Sequence, residues 1–333
     1  MSLRYLINRL FIFFLTILSA VSLNFIIMKI TPQDPVAVLL GRMASRGSLV
    51  EGGEQLIKLY RAQFGLDDPL YLQYWNYISN LLLRGDLGYS LSYFPAKVES
   101  VILPAIPWTI GLFITANLIS FTIGNLLGAI AVWPKVLKKI KYLIYFIMPL
   151  SAIPFYLMAL LLLYLMAIEF PILPIGGTFR VGSVRGFDLD TMLQLLEHAA
   201  LPLMSISIGL IGFWALSMRG IMAVLLGEDF LTYARAKGLR ESRIFLRYGM
   251  RNALLPQVTA LSIDLGLMIS GQVLVETIFN YPGVGSVLFK ALRTADYFVI
   301  QGVVLFIVVA VALATLVIDI IYPLLDSRIR YKV

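Results

Sequence analysis

The chain of 333 residues is 59% apolar and 14% charged, with a mean hydropathy of +0.87, values that exclude an ordinary soluble domain and indicate an integral membrane protein. Its 27 Lys and Arg against 19 Asp and Glu give a net charge of +8, which in such a chain points to cytoplasmic loops rather than to a nucleic-acid surface. Zero Cys and one His, His198, exclude disulfides, thiolate metal sites, Cys nucleophiles and a His pair for a metal, and without a Gly-x4-Gly-Lys-Ser/Thr phosphate loop any nucleotide that drives the protein sits on a partner.

Arg4 and Arg9 precede an apolar run over 10–28, long enough for a membrane helix and without a convincing signal-peptide cleavage site, so it reads as the first span. Thr31-Pro-Gln-Asp-Pro35 ends it. In the long stretch of mixed polarity that follows, Pro69 after Asp68 reads as a first-turn proline behind a cap. Residues 70–83, with Tyr71, Tyr74, Trp75 and Tyr77, then read as an amphipathic helix stopped by Gly85. Its aromatic character places it near the membrane interface, packed on the transmembrane core or presented to a partner. A second span over 107–132 puts Asn117, Gly124 and Gly128 on one face suited to close helix contact. The loop 133–141, with Lys135, Lys138, Lys139 and Lys141, leads to a third span over 142–167. A polar, Gly- and Pro-rich excursion over 169–197 precedes a fourth over 199–217, with His198 at its start and Pro202 close behind. The cationic stretch 219–251 separates it from a fifth over 255–278. Asn280-Tyr-Pro-Gly-Val-Gly285 is a turn, and the sixth span, 301–322, leads into Asp326-Ser-Arg-Ile-Arg330.

Six helices with both termini cytoplasmic satisfy the positive-inside bias. Arg4, Arg9, the lysines of 133–141, the cations of 219–251 and the basic C-terminal residues then share one side. The fold class is all-α integral membrane, divided into 1–106, the first span with an extracytoplasmic helical region, and 107–333, a five-helix core that includes the cytoplasmic loop 219–251. Within that loop Asp229-Phe-Leu-Thr-Tyr-Ala-Arg-Ala-Lys-Gly-Leu239 combines a carboxylate at an N-cap position, Asp229, with Ala234, Ala236 and Gly238, small enough for another protein to approach closely. It reads as a short docking helix. Beyond it Arg240, Arg243, Arg247 and Arg251 recur so that, on a helix, they fall within about 80° of one face, turned to anionic lipid headgroups or to a dedicated partner or regulatory surface.

Asp229 to Leu239, followed by Arg251-Asn-Ala-Leu-Leu-Pro256, resembles the cytoplasmic signature loop of the inner-membrane permease subunits of ATP-binding-cassette importers, in the dipeptide, oligopeptide and nickel branch. Phe64-Gly-Leu-Asp with Pro69-Leu-Tyr, Arg84-Gly-Asp-Leu-Gly88, Glu276-Thr-Ile-Phe with Tyr281-Pro-Gly-Val-Gly285, Asp296-Tyr with Gln301-Gly-Val, and Leu324-Leu-Asp-Ser-Arg-Ile-Arg-Tyr331 are similar to the same branch, so the resemblance covers nearly the whole chain. The chain departs from the broader signature where Glu-Ala-Ala would stand. It reads Thr232-Tyr-Ala234 there, and contacts made by that Glu do not carry over. Asp264, in the fifth span, is a second departure.

The resemblance implies the type I importer permease core and a coupling helix seated in a groove of an ATPase subunit. Asp229, Tyr233, Ala234, Ala236 and Gly238 would make the seat, with Arg235 and Lys237 facing acidic groups of the ATPase; a loop lying on the lipid surface is the plainer alternative. The implied partners are a second homologous permease, two ATP-binding subunits that carry ATP and Mg, and an extracytoplasmic solute-binding protein, all at the inner membrane. The chain itself is expected to be no enzyme and to hold no cofactor or metal. Its cargo reads as di- or oligopeptides, with oligosaccharides or nickel as alternatives and a stand-alone secondary transporter or channel as the reading from another class. Asp264 and Asn117 are the translocation-path candidates. A mid-span acid needs water, a partner or the bundle interior, and a structural hydrogen bond is the alternative for Asp264; helix packing is the alternative for Asn117. Asp319 reads as a structural anchor, and His198 as a cap or interface contact.

Overall fold

The computed structural model describes residues 3–30, 66–180, 188–268 and 272–325, with positions 36, 41, 58, 61, 62 and 186. Thr31-Pro-Gln-Asp-Pro35, Phe64-Gly65, the side chain of Asp264 and the run 326–331 lie outside the described residues. Among the described residues all regular structure is helical, apart from an isolated β-bridge between Tyr89 and Lys97.

Helix α1 (Leu3–Ile30) holds the first apolar run. Helix α2 (Leu70–Ser79) continues through a π-helical turn, Asn80–Arg84, to Gly85, whose φ of +63° closes it in the left-handed region. Pro69 occupies the cap of α2 and not its first turn, because its ψ of 144° is extended. Next come α3 (Val98–Ile102), α4 (Ile106–Val132), α5 (Lys138–Ile147) and α6 (Phe155–Leu163), and then the 37-residue α7 (Leu189–Leu225), which overruns the expected fourth span at both ends. Helix α8 (Asp229–Ala236) is followed by α9 (Glu241–Arg243), a π-helical stretch Ile244–Met250, α10 (Arg251–Met268), α11 (Gln272–Ile278), α12 (Val284–Arg293) and α13 (Tyr297–Leu325).

Among the described residues four helices are long and apolar enough to cross a membrane, or five when a bent pair counts as one span. That pair covers the third span expected over 142–167 and bends it: the runs Lys138–Ala152 and Phe155–Glu169 meet at 110°. Ile153, with φ −82° and ψ 121°, leaves the helix before Pro154, as the ring of a following proline demands. The expected fifth span is occupied by α10 and α11, with 269–271 outside the described residues. Helix α12 corrects the reading of 280–285 as a turn alone.

The chain divides into two compact units, Met1–Thr109 with Pro282–Leu316 and Ile110–Tyr281 with Val317–Val333. In the first, α2 is clamped on α1 by one face. Tyr74 Oη lies 2.5 Å from Ser22 Oγ, the Phe25 ring meets those of Tyr74 and Tyr77, and Lys29 Nζ donates to Gln73 Oε1. The opposite face leaves Tyr71 and Trp75 exposed. Asn24 Nδ2 donates to the Gln301 carbonyl (2.9 Å) and Gln301 Nε2 to the Asn24 carbonyl (3.1 Å), a reciprocal amide clip of α1 to α13 of the kind that joins membrane helices. The buried Asp296 carboxylate accepts from Ser90 Oγ at 2.6 Å and from the Ser92 amide at 2.8 Å, pinning the 90–92 segment at the start of α13.

In the second unit α4 lies directly on α7. A Cβ on Gly124 would sit 2.6 Å from Trp214 Cβ, and one on Gly128 would strike the Ala215 carbonyl oxygen. The expectation that this face serves close helix contact therefore holds for both glycines. The bend before α6 is seated the same way, with Gly212 against the Met148 carbonyl and Ser151, and Gly209 against the Phe155 ring.

Candidate functional site

The site is α8 and the groups that hold it. Glu228, extended at φ −79° and ψ 141°, occupies the cap position, so Asp229 is the first helical residue and not the N-cap expected of it. Its carboxylate still lies in the first turn, where the partial positive charge of the helix end favours an acid. The helix is written by two apolar residues three apart, Leu231 and Ala234, 0% and 3% exposed. They enter one core with Ala129 and Trp133 at the end of α4, Met218 and Met222 near the end of α7, Ile244 and Ala253. The end of α8 is a Schellman closure: the Gly238 amide donates to the Arg235 carbonyl at 2.9 Å and the Leu239 amide to the Ala234 carbonyl at 3.4 Å, with Gly238 at φ +71°. Leu239 then packs back on the same core.

This arrangement sorts the expected residues. Ala234 is corrected: it faces the chain's own core and is closed to a partner, because its small side chain serves the approach of α8 to its own unit. Asp229, Tyr233, Arg235, Ala236, Lys237 and Gly238 remain exposed. Tyr233, at 69%, is the most prominent apolar surface of the helix. Arg235 is tied within the chain, its guanidinium 5.9 Å from the Trp133 ring centroid and 3.8 Å from the Glu241 carboxylate, which also takes Lys135 at 3.1 Å. Arg243, Arg247 and Arg251 are exposed along the following helical segment, but Arg240 precedes it as the cap of α9, so the stripe is three residues and not four.

The other candidates lie elsewhere in the chain. Asn117 is 4% exposed on α4 and donates Nδ2 to the Phe113 carbonyl at 2.9 Å, while its Oδ1 has no hydrogen-bond partner among the described residues. Asp264 falls within α10, its side chain outside the described residues. His198, 6% exposed within α7, has Nδ1 2.7 Å from the Gln194 carbonyl, an acceptor that requires the proton on that nitrogen. Sequence reasoning missed Leu231, Trp133 and Glu241, the residues that hold α8 in place. The available signal was an apolar residue three positions before Ala234 in an otherwise polar loop.

Residues 120–331, α8 included, match the family of binding-protein-dependent transport system inner membrane components, and residues 2–112 match the N-terminal family of such membrane components. A protein of Brucella suis biovar 1 (strain 1330), provisionally named a peptide permease, is 32% identical over 332 residues, covering 98% of this chain and 99% of that one. The glutathione transport system permease protein GsiC of Escherichia coli O6:H1 (strain CFT073) is 31% identical over 337 residues, covering 99% and 100%. The GsiC of Escherichia coli strain K12 is 30% identical over the same length. The all-α architecture with several apolar spans is the type I permease fold. A family match over most of the chain, relatives aligned from end to end and a multi-helix membrane fold lead to one conclusion: the chain belongs to the binding-protein-dependent transport system inner membrane components, as a transport permease.

Proposed function

We propose that this permease forms, with a second homologous permease, the translocation path of an ATP-driven importer of di- or oligopeptides, supplied by an extracytoplasmic solute-binding protein and powered by two ATP-binding subunits that carry ATP and Mg. The observation that carries the proposal is the two-faced geometry of α8. One face is cemented by Leu231 and Ala234 into a core shared with the ends of α4 and α7, and the other presents Asp229, Tyr233, Ala236 and Lys237 outward. A helix fixed on one side and bare on the other passes rigid-body motion from a docked partner to the spans, where a floppy loop would absorb it. ATP binding draws the ATPase subunits together, α8 follows, and the path opens outward; hydrolysis resets it. ATP must favour the outward state by differential affinity, since equal binding to both states shifts nothing. The names of the relatives favour peptides over oligosaccharides and nickel: one is named for peptides and the other for glutathione, itself a tripeptide. Both termini are cytoplasmic in this reading, and Asn117 and Asp264 remain candidates for the path.

Because Ala234 is buried, the docking test belongs at the exposed positions. A236W and Y233A are expected to insert and fold as wild type yet to lose roughly tenfold or more in peptide uptake, with ATP hydrolysis no longer stimulated by loaded binding protein, the scale of a lost interface anchor. Uptake at the wild-type rate by A236W would overturn the docking assignment.

A further inference from the structure

Helix α11 buries Gln272, Val275, Glu276 and, just past its end, Phe279, each at 1% exposure or less, a spacing of three, one and three that makes a single helical face. That face packs on α6 and α7. It is roofed where the Gly177 amide donates to the Phe279 carbonyl at 2.8 Å, an approach possible because Gly176 brings no Cβ into the Phe279 backbone. Below the roof the Tyr281 amide donates to the Glu276 carbonyl at 2.8 Å, and burial together with the Glu276 charge pushes the Tyr281 hydroxyl up to about 12. In this closed setting Gln272 stands out: among the described residues neither its Oε1 nor its Nε2 has a hydrogen-bond partner. Gln257, also fully buried, is half paired by comparison: its Nε2 donates to Ser217 Oγ at 3.0 Å, and only its Oε1 has no partner among the described residues.

An apolar side chain of the same length would fill the space without the penalty of an unmade hydrogen bond, and that penalty is heavier where no water reaches. An amide at this position is therefore explained by a state in which it is paired. We propose that Gln272 is a cargo-contacting residue, uncovered when α11 parts from α6 and α7 during transport, and that it pairs with a peptide group of the cargo. A primary amide offers a donor and an acceptor on one edge, and an extended backbone turns the N–H and C=O of one residue to the same side, so one Gln matches any extended peptide regardless of its side chains. Glu276, one turn further on the same face, puts a carboxylate where a peptide ammonium would follow. The inference rests on the peptide reading of the cargo.

The chain has no cysteine, so Q272C places a single thiol in this subunit. In the assembled importer in membrane vesicles, with the partner subunits made cysteine-free, a small charged methanethiosulfonate reagent should modify Q272C at least tenfold faster in one of two conditions, nucleotide-free or trapped with ATP and vanadate. A tripeptide loaded on the binding protein should slow that reaction several-fold. In parallel, Q272M should raise KM or lower kcat for tripeptide uptake at least fivefold while leaving the thermal midpoint unchanged or raised. A Q272C thiol equally unreactive in both conditions, one indifferent to tripeptide, or a Q272M importer with a lowered midpoint and normal uptake would each overturn the proposal. Tripeptide uptake by the wild-type importer is measured in the same vesicles. Its absence refutes the peptide reading itself, whereas normal uptake beside an unreactive thiol refutes only the role of Gln272.

Discussion

Two glycines of the second unit are glycine for opposite reasons. Gly128 has no room: a Cβ there meets the Ala215 carbonyl oxygen and lies 2.9 Å from Met218 Cβ. G128A should push α4 off α7 and cost about 1–3 kcal/mol, the range for overpacking a closed contact, seen as a lower thermal midpoint of the detergent-purified protein. Gly238 has ample room, with nothing within 4 Å of a built Cβ, but its φ of +71° is the left-handed region. G238A should cost about 1–2 kcal/mol through backbone strain alone, fraying the end of α8, and G238N should cost less because Asn tolerates that region better. Protection of the Gly238 and Leu239 amides from hydrogen exchange would report it directly. At this scale the sequence was only half legible. Small residues mark a close approach, but composition does not tell whether the approaching surface is the chain's own or a partner's, and Ala234 turned out to serve its own core.

At the scale of elements, the spans whose boundaries carry a local signal were read well. Helix α4 begins within one residue of expectation, and the amphipathic helix reaches its Gly85 stop through a π-helical turn. The bend of the third span was not legible because apolar averaging over the run is blind to the chain break that Pro154 forces within it, and α12 was hidden behind a turn motif that overlaps its start. The segment between α2 and α3 gives an element-level prediction. Asp86 is held below the usual carboxylate range by the Lys97 ammonium, 2.8 Å away, and then by the Gly88 amide. Its depressed pKa means that its contribution is present above an ordinary Asp value near ~4 and fades as pH falls through the lower folded value. The pair is solvent-exposed, so the effect is small. Wild type should be slightly more stable than D86N at neutral pH, and the difference in denaturant midpoint should vanish in acid; a difference that persists below the folded value would mean that the contact acts by packing instead of charge.

For the whole molecule, membrane class and permease family were legible, because hydropathy and several spaced motifs point the same way. What was not legible is the arrangement that makes Gln272 notable, since burial without a partner is a property of packed helices and not of a residue type. Orientation is open to a direct test: green fluorescent protein fused after Val333 should be fluorescent, and alkaline phosphatase inserted into the excursion between α6 and α7 should be active. Dark fusions at the C-terminus of a stably inserted chain would reverse the topology. Helix α7 has a mechanical consequence beyond its role as a span. Its 37 residues, at 1.5 Å each, run about 55 Å, nearly twice the ~30 Å of a hydrocarbon core. Met218 and Met222 fix one end to the core that holds α8. Under the docking proposed for α8, helix α7 would act as a lever with its short arm at α8, and a swing of about 5° there would carry the far end, beside Asp190 and Gln194, through about 5 Å.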